Sequence, residues 1–371
     1  MPAPLPPDPP VLIDAELARL LSKADHSLGR LDGVGAILPN PDLFVAMYVR
    51  QEAVMSSQIE GTQSTLEDVL QFEVDDKTND LPRDVEEVVN YVRAINYGLR
   101  RLDTLPLSLR LIREIHGQLM EGVRGQNRTP GEFRRTQNWI GPTGADLSSA
   151  TFVPPPVPNM IDALDKFEKF LYDETLPVLI QTGLAHAQFE TIHPFLDGNG
   201  RVGRLLITFL LCQRNVLHRP LLYLSHFLKA HRAEYYDRLM AIRNDGDWEG
   251  WLKFFLRGVE EVSEEAINTS RQIFALREQH RSLVNTSLGA SAASGLRLLD
   301  YLYEQPIVNV RIVERYLQSS FVTANKLVEQ FVNLDILKET TGGQRNRRYS
   351  YFPYLALFES SVTSRQQSQT T

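Results

Sequence analysis

The sequence predicts a mostly α-helical protein with one small β-hairpin and a C-terminal winged helix-turn-helix. Three observations support this fold class. Apolar residues recur at helical spacing through most of the 371 residues. Residues 125–159 are instead rich in glycine, proline and polar residues, and contain two short β-favouring islands. After the small-residue stretch 285–294, which we interpret as a linker, helices and short strands follow in the order of a winged helix.

The composition indicates a soluble globular protein with two or three domains. Hydrophobic residues make up 43% of the chain, and the net charge of −7 argues against a general affinity for nucleic acids. The one cysteine, Cys212, excludes an internal disulfide. No apolar run approaches the ~20 residues of a membrane span, and the N-terminus lacks the pattern of a secretion signal. We therefore expect a cytoplasmic protein without membrane contact, and leave monomer and homodimer both open.

Five segments follow from these patterns. The proline-rich lead 1–10 and the polar tail 359–371 are expected to be disordered. Between them we expect an N-terminal helical region at 11–103, a helical core at 104–284 and the winged helix at 290–358.

One helix of the N-terminal region ends in an unfavourable residue. The run DLFVAMYVRQEAVM lacks glycine and proline and predicts a helix whose last turn contains Glu60, with Gly61 as its C-terminal cap. Ser64 and Glu67 form a capping box for the next helix. A carboxylate in the last turn of a helix is disfavoured by roughly 0.3 to 1 kcal/mol. Glu60 therefore needs a cation from elsewhere in the fold.

The densest chemistry lies in HPFLDGNGRVGR, residues 193–204. Pro194 should stop the preceding helix and leave His193 at its end, where the imidazole can take a proton at neutral pH. Gly198 and Gly200 lack Cβ atoms, so successive backbone N–H groups could close around an anion at a helix N-terminus.

The charged residues of this motif also indicate a phosphate ligand. Arg201 and Arg204 stand in the first turn of the next helix, where the helix dipole disfavours cations, so we expect an anion between them. Asp197 supplies a hard oxygen ligand beside the phosphate site, which suits Mg²⁺.

Other interpretations of these residues are weaker. Gly198 and Gly203 have the spacing of a Walker A loop, but its Lys-Ser/Thr pair and its preceding strand are missing. A calcium loop would need oxygen ligands at every second position, a series that the first arginine interrupts. His186, Glu190 and His193 suggest a metal site, but without an HExxH pattern such residues are more often structural.

The motif resembles the signature of the Fic family, His-Pro-Phe-x-Asp/Glu-Gly-Asn-Gly-Arg-x-x-Arg, at every specified position. The stretches GEFRRTQNWIG…FVPPP and AEYYDRL…NDGDWEGWLKFFL are similar to the family's substrate-docking flap and closing helices. The resemblance implies a Fic-fold helical core. It also implies transfer of AMP from ATP, with Mg²⁺, to a Ser, Thr or Tyr hydroxyl of a target protein or of the chain itself, with release of pyrophosphate.

The resemblance assigns a role to each matching residue. His193 would be the general base, and Asp197 would hold Mg²⁺ on the phosphates. The remaining nucleotide-binding residues would be Gly198, Asn199, Gly200, Arg201, Gly203 and Arg204 of the motif, with Tyr235 and Tyr236 beside the adenine. Some relatives carry asparagine eight residues beyond the first tyrosine, and here that position is Arg243.

A second motif bears on regulation. Ser56, Glu60 and Gly61 fit the family's inhibitory pattern, Ser/Thr-x-x-x-Glu-Gly/Asn. The resemblance implies that Glu60 pairs with Arg204, so that ATP binds in an unproductive position.

Two other functions stay open. The chain could transfer or remove another phosphate-containing group, or it could be a DNA-binding regulator whose core senses a nucleotide. Residues 295–358 carry eight basic and six acidic side chains, and Arg345, Arg347 and Arg348 could contact phosphates. Because this bias is mild, DNA binding through 290–358 is not the favoured interpretation.

Overall fold

Most of the chain is α-helical, as the sequence predicts, and a small sheet lies near the C-terminus. The computed structural model describes residues 1–37, 41–74, 82, 84–122, 129–141, 144, 146–343 and 347–363. Among these residues, no helix combines the length and the apolar character needed to cross a membrane.

In the described residues, four helices form the N-terminal region: α1 (Ala15–Ile37), α2 (Pro41–Ile59), α3 (Leu66–Val74) and α4 (Val85–Leu102). Helix α2 ends directly before Glu60, and Gly61 has a φ of 104°, as expected of a C-terminal cap.

The predicted capping box of α3 is wrong by one residue. Thr65 and Asp68 form it, because the Thr65 N–H donates to Asp68 Oδ2 at 2.8 Å and the Asp68 N–H donates to Thr65 Oγ1 at 3.1 Å. Ser64 is fully buried, and its hydroxyl donates to Asp84 instead.

The described part of the core contains seven helices: α5 (Leu109–Leu119), α6 (Val157–Leu171), α7 (Val178–Ile192), α8 (Asn199–Gln213), α9 (Ser225–Ala230), α10 (Arg232–Asp245) and α11 (Trp248–Ser287). Helix α7 is buried on every face from Leu179 to Ile192, and α8 packs against it. The turn between these two central helices carries the motif 193–204, so packing on both sides fixes its position.

The loop between α5 and α6 contains the predicted hairpin in reduced form. Ile140 and Phe152 form one antiparallel bridge, with N–H to carbonyl distances of 2.8 and 3.0 Å. Residues 123–128, 142, 143 and 145 of this loop lie outside the described part of the chain.

The C-terminal module contains α12 (Ala292–Glu304), β1 (Ile307–Asn309), α13 (Val310–Leu317), α14 (Phe321–Asn333), β2 (Lys338–Glu339), β3 (Arg348–Ser350) and α15 (Phe352–Thr363). The three strands pair antiparallel in the order β1-β3-β2. The elements from α12 to β3 follow the predicted order, and their assignment to the winged-helix class stays a prediction. Arg345 lies outside the described residues.

The segments expected to be irregular are more structured than the sequence suggests. Helix α11 runs into the expected linker as far as Ser287, and a 3-10 turn at Gly289–Ser291 leads directly into α12. Alanine and serine are compatible with an α-helix, so the helical run is interrupted only near Gly289, which adopts a φ of 50°.

Both chain ends contain ordered residues where the sequence predicts disorder. Helix α15 continues past residue 358 to Thr363, while 364–371 lie outside the described residues. The lead 1–10 has no helix or strand, but the Gln188 side chain donates to the carbonyl of Ala3 at 2.7 Å. The domain limits stay predictions.

Candidate functional site

A cavity of about 330 Å³ lies where the turn between α7 and α8 meets α10, the hairpin and the end of α2. Nearly all of the predicted site residues line it. The exceptions are Ser56, Gly61 and Gly203.

His193 is held at the cavity wall by a left-handed backbone conformation, with φ 49° and ψ 61°, at the end of α7. Arg134 stabilises this conformation from the loop between α5 and α6. Its Nε donates to the His193 carbonyl at 3.0 Å, and its backbone N–H donates to the Pro194 carbonyl at 2.8 Å. Sequence reasoning missed Arg134, which is 1% exposed.

The imidazole of His193 is neutral at pH 7. Burial lowers its pKa to about 3, and the positive charge of Arg243 acts in the same direction. Glu60 and the Glu190 carbonyl oppose these effects but do not overcome them. Because Nδ1 is buried, Nε2 is the nitrogen left to accept a proton from the cavity.

The glycine-rich turn leads into the start of α8, where the sequence predicts an anion site. Gly198 has a φ of 74°, and a Cβ atom there would lie 3.1 Å from Met120 Sδ. The Asn199 side chain holds the turn through both backbone groups of Phe195, each at 2.8 Å. The first N–H groups of α8 have no partner within the helix, so they are available to an anion.

Arg204 binds the C-terminal end of α2. It is the cation that the sequence predicts for Glu60. Its Nη2 lies 2.7 Å from Glu60 Oε1, and its Nε donates to Ser56 Oγ at 2.8 Å. The same Nη2 donates to the Ser56 carbonyl at 3.0 Å. A Cβ atom at Gly200 would collide with the Glu60 carboxylate, so glycine is needed here for Glu60 to reach Arg204.

The electrostatics of this pair agree with the geometry. Burial would raise the pKa of Glu60, but the Arg204 guanidinium outweighs it and holds the pKa below its ordinary value. Burial would lower the pKa of Arg204, but the negative charge of Glu60 has the opposite effect, and the pKa of Arg204 is raised above its ordinary value. Both groups are charged at neutral pH.

Arg201 has an acidic partner that the sequence did not suggest. Its Nη1 lies 3.1 Å from Glu87 Oε2 of α4, and its Nη2 lies 3.8 Å from Met120 Sδ. Each arginine of the motif is therefore paired with a carboxylate from the N-terminal region, at the place where the sequence predicts an anion.

His116 of α5 fixes the backbone of Asp197. The Gly131 N–H donates to His116 Nδ1 at 2.8 Å, so the proton of the neutral ring is on Nε2, which donates to the Asp197 carbonyl at 3.0 Å. Burial lowers the pKa of His116 to about 4. The ring also stacks on Phe195 at 3.7 Å.

The two tyrosines of α10 differ in exposure. Tyr235 is 1% exposed and its hydroxyl lies 2.9 Å from His186 Nε2, whereas Tyr236 is 37% exposed. His186 Nδ1 donates to the Gly203 carbonyl at 2.8 Å, so His186 is a structural residue of the core. In the part of the chain that the structure describes, no three His, Cys, Asp or Glu side chains are grouped as a metal site would require.

Arg243 is turned away from this cavity. Its guanidinium lies 3.9 Å from the ring centroid of Phe152, and its Nη2 donates to the Glu190 carbonyl at 3.0 Å. Arg243 therefore connects the hairpin to the end of α7.

Fold, signature turn and cavity together define a protein of the Fic/DOC class. Residues 18–100 match the N-terminal region of the Fic/DOC family, and residues 106–211 match the Fic/DOC family domain. These two stretches cover about half of the sequence, and the chain belongs to the Fic/DOC family.

Curated relatives and solved structures agree with this assignment. The chain is 29% identical over 213 residues to protein adenylyltransferase Fic of Drosophila grimshawi, and 27% identical to that of Drosophila melanogaster. The match covers 56% of this chain and 38% and 37% of those proteins, so it spans less than half of their length.

Two solved structures share the fold. A Fic family protein from Desulfovibrio desulfuricans G20 has a TM-score of 0.59 and 20% identity, covering 92% of this chain and 97% of its own. A Fic domain containing signaling protein from Bacteroides thetaiotaomicron VPI-5482 has a TM-score of 0.51 and 17% identity, covering 69% and 97%.

Proposed function

We propose that this protein transfers AMP from ATP to a Ser, Thr or Tyr hydroxyl of a protein and is held inactive by Glu60. The observation that carries the proposal is the cavity itself, in which a neutral imidazole, a helix N-terminus and the Glu60–Arg204 pair face the same space. The adenylyltransferase relatives support the same reaction.

His193 serves as the general base. Its Nε2 takes the proton as the target hydroxyl oxygen attacks the α-phosphorus, and the bond from that phosphorus to the β-phosphate oxygen breaks to release pyrophosphate. A base with a pKa of about 3 in the nucleotide-free cavity is unprotonated at pH 7, and nearby phosphate charge would raise its basicity.

The start of α8 binds the phosphates. Its N–H groups and the two arginines offer positive charge on one side of the cavity, and ATP would replace the carboxylates that now pair with Arg201 and Arg204. Electrostatic stabilisation of this kind acts on the charge that develops during phosphoryl transfer.

Asp197 fits a magnesium ion bound together with a substrate. Mg²⁺ is usually held by one or two carboxylates plus substrate phosphates, and Asp197 is a carboxylate on the cavity wall. A bound Mg²⁺ would supply charge neutralisation on the phosphates. The chain's own contribution is the fixed backbone of Asp197, which His116 holds.

The hairpin is the proposed docking site for the target. Trp139, Ile140 and Gly141 line the cavity, and Trp139 and Val153 are exposed by 43% and 44%. An extended target segment that pairs with this backbone would place its hydroxyl beside His193.

Glu60 acts as an inhibitor by occupying Arg204. While the arginine binds Glu60 and Ser56, it is not available to the terminal phosphates. Because the Glu60 side chain is 38% exposed, the pair stabilises less than a fully buried one. We still expect at least about tenfold repression, which corresponds to ~1.4 kcal/mol.

Intact-protein mass spectrometry tests the proposal. Wild type, Glu60→Gly, Glu60→Gln, His193→Ala and the double variant Glu60→Gly/His193→Ala are incubated with ATP and Mg²⁺, since self-modification needs no known target. We expect a gain of one AMP in both Glu60 variants, little in wild type and none in the double variant Glu60→Gly/His193→Ala.

The alternatives give different masses. A phosphate-sized gain would replace the proposal with a kinase-like transfer. Transfer in the Glu60→Gly/His193→Ala protein would show that His193 is not the base. Equal transfer in wild type and in the Glu60 variants would remove the inhibitory role.

A further inference from the structure

Glu190 is a buried carboxyl group in the cavity wall that neither the signature nor the mechanism above uses. It lies on α7, three residues before His193, and is 6% exposed. Its Oε1 is buried and has no hydrogen-bond partner among the described residues. An unsatisfied buried carboxyl oxygen normally costs stability. Because Oε1 lies against Gly203, the other oxygen, Oε2, is the one that can accept a hydrogen bond from a ligand in the cavity.

The surroundings of Glu190 place its carboxyl near the two tyrosines. The side chain lines the same cavity as Tyr235 and Tyr236, and its charge raises the pKa of both. A Cβ atom at Gly203 would lie 2.5 Å from Glu190 Oε1. Gly203 thus acts by leaving room for this carboxyl, although it does not line the cavity itself.

Two other roles in ATP binding do not suit Glu190. A carboxylate repels phosphates, so it is not part of the anion site. It also forms no group with other acidic or histidine residues that could hold a metal, within the described part of the chain. The parts of ATP that remain are the base and the ribose, both of which carry hydrogen-bond donors.

We propose that Glu190 selects adenine, by accepting a hydrogen bond from the exocyclic N6 amino group. The inference rests on the proposed function, because it assumes that ATP is the nucleotide. Burial raises the pKa of Glu190 to about 7, an effect that Arg204 reduces, so the carboxyl can also carry a proton. With that proton on the buried Oε1, the other carboxyl oxygen still accepts a hydrogen bond from the N6 amino group.

The test compares ATP with purine riboside triphosphate, which lacks only the N6 amino group. Binding is measured by calorimetry in Glu60→Gly, in Glu60→Gly/Glu190→Met and in Glu60→Gly/Glu190→Gln, each checked for folding by its thermal transition. Methionine keeps the length of glutamate without its oxygens, and glutamine keeps a donor and an acceptor.

We expect Glu60→Gly to bind ATP about tenfold or more tightly than purine riboside triphosphate. Glu190→Met should remove this preference by weakening ATP alone, and Glu190→Gln should keep most of it. A preference that survives Glu190→Met, or equal weakening of both nucleotides, would overturn the proposal.

Two further nucleotides separate the remaining interpretations. If Glu190→Met instead abolishes discrimination between ATP and 2′-deoxy-ATP, the carboxyl contacts the ribose and the adenine proposal is wrong. Tighter binding of GTP than of ATP would also overturn it.

Mass spectrometry separates this proposal from the proposed function, because AMP transfer without the expected nucleotide preference refutes only the role of Glu190. The expected preference without any transfer refutes only the reaction.

Discussion

Single residues outside the signature determine the shape of the site. A non-glycine residue in the left-handed region costs of order 1–2 kcal/mol, and His193 adopts that conformation. Arg134 offsets this cost by hydrogen bonds to two adjacent carbonyls, and it also donates to Thr136 and Pro155 of its own loop. One buried arginine thus joins the proposed base to the docking hairpin.

His116 allows a prediction about stability and pH. Its pKa is about 4 in the folded protein and ~6.5 in an unfolded chain, so the unfolded state binds more protons between these values. Stability that depends on the neutral ring is therefore present above pH ~6.5 and is lost as the pH falls towards 4. The shift corresponds to about 3 kcal/mol at most.

We expect His116→Gln to be less stable than wild type at pH 7 and to approach it as the pH falls to 4.5. Urea unfolding at several pH values measures this difference. A difference that stays constant with pH would show that His116 does not titrate between the two states. Because glutamine also weakens the support of Asp197, the Mg²⁺ concentration needed for AMP transfer should rise.

Helix α2 acts as a unit whose C-terminal end is held by α9 and α10. Arg232 Nε donates to the carbonyl of Ile59 at 3.1 Å, and Lys229 donates to the Gln58 side chain. Cations at a helix C-terminus stabilise the last carbonyls. These contacts fix the position from which Glu60 reaches Arg204.

We expect Arg232→Met to raise basal self-modification up to about tenfold, because it removes a charged donor worth ~1.5 kcal/mol from the end of α2. The rate of AMP gain by mass spectrometry measures this. Arg238→Met on the same helix is the matched control, since Arg238 pairs with Glu234 and Asp247 at the surface.

Making Arg232→Met in the Glu60→Gly protein distinguishes an effect through α2 from a direct effect on nucleotide binding. Arg232 also lies 5.3 Å from the ring centroid of Tyr236, beside the proposed nucleotide site. If Arg232 acts only through α2, Arg232→Met has no further effect once Glu60 is absent. A fall in ATP affinity in that background would instead assign Arg232 to nucleotide binding.

Local patterns explain which parts of the site could be predicted from the sequence. The turn 193–204 is contiguous, and the helix end at Glu60 conflicts with the helix dipole, so both give a local signal. Glu87, His116 and Arg134 come from separate elements and meet the motif only through packing. Of these three residues, only His116 has a signal in the sequence, because it is a polar ring on the otherwise apolar face of α5.

The same reasoning applies to the elements. Long helices with regular apolar spacing were predictable, whereas α9, with six residues, is too short to show a period. Helix α15 was missed because Pro353 follows the last strand and suggests a chain break. Proline is in fact tolerated in the first turn of a helix, and this one packs against α11.

On the scale of the whole molecule, the C-terminal module packs on the body of the protein through α2, α3 and α11. In the described part of the module, the start of α14 exposes the apolar side chains of Phe321 and Val322, and Arg311 stacks on Phe321 at 4.6 Å. A DNA-reading helix relies mainly on polar and basic groups, whereas here the exposed Thr323 and Lys326 stand beside two large apolar side chains.

We therefore predict that the full chain does not bind duplex DNA. Electrophoretic mobility of a random-sequence duplex at about 50 mM salt tests this, since phosphate contacts are strongest at low salt. Arg347→Gln/Arg348→Gln is the matched variant. A shift in wild type that this variant loses would contradict the prediction and support the regulator interpretation.

The module also supports α2, the proposed inhibitory helix. Tyr48 of α2 packs edge-on against Phe358 of α15, with ring centroids 5.7 Å apart. A chain of hydrogen bonds runs from His280 Nδ1 to the Tyr351 hydroxyl at 2.7 Å and on to the Tyr303 hydroxyl at 2.9 Å, joining α11 to the module. Body and module should therefore unfold together.

Tyr351→Phe tests this coupling because it removes the buried hydroxyl that connects His280 to Tyr303. We expect a loss of about 1–3 kcal/mol of unfolding free energy, a single calorimetric transition in both proteins, and faster AMP gain as α2 loses support. Tyr349→Phe is the control, since its hydroxyl is buried and has no hydrogen-bond partner among the residues that the structure describes. Two separate transitions, with only one shifted by Tyr351→Phe, would show that the module is an independent domain. Its packing on α2 would then contribute nothing to the position of Glu60.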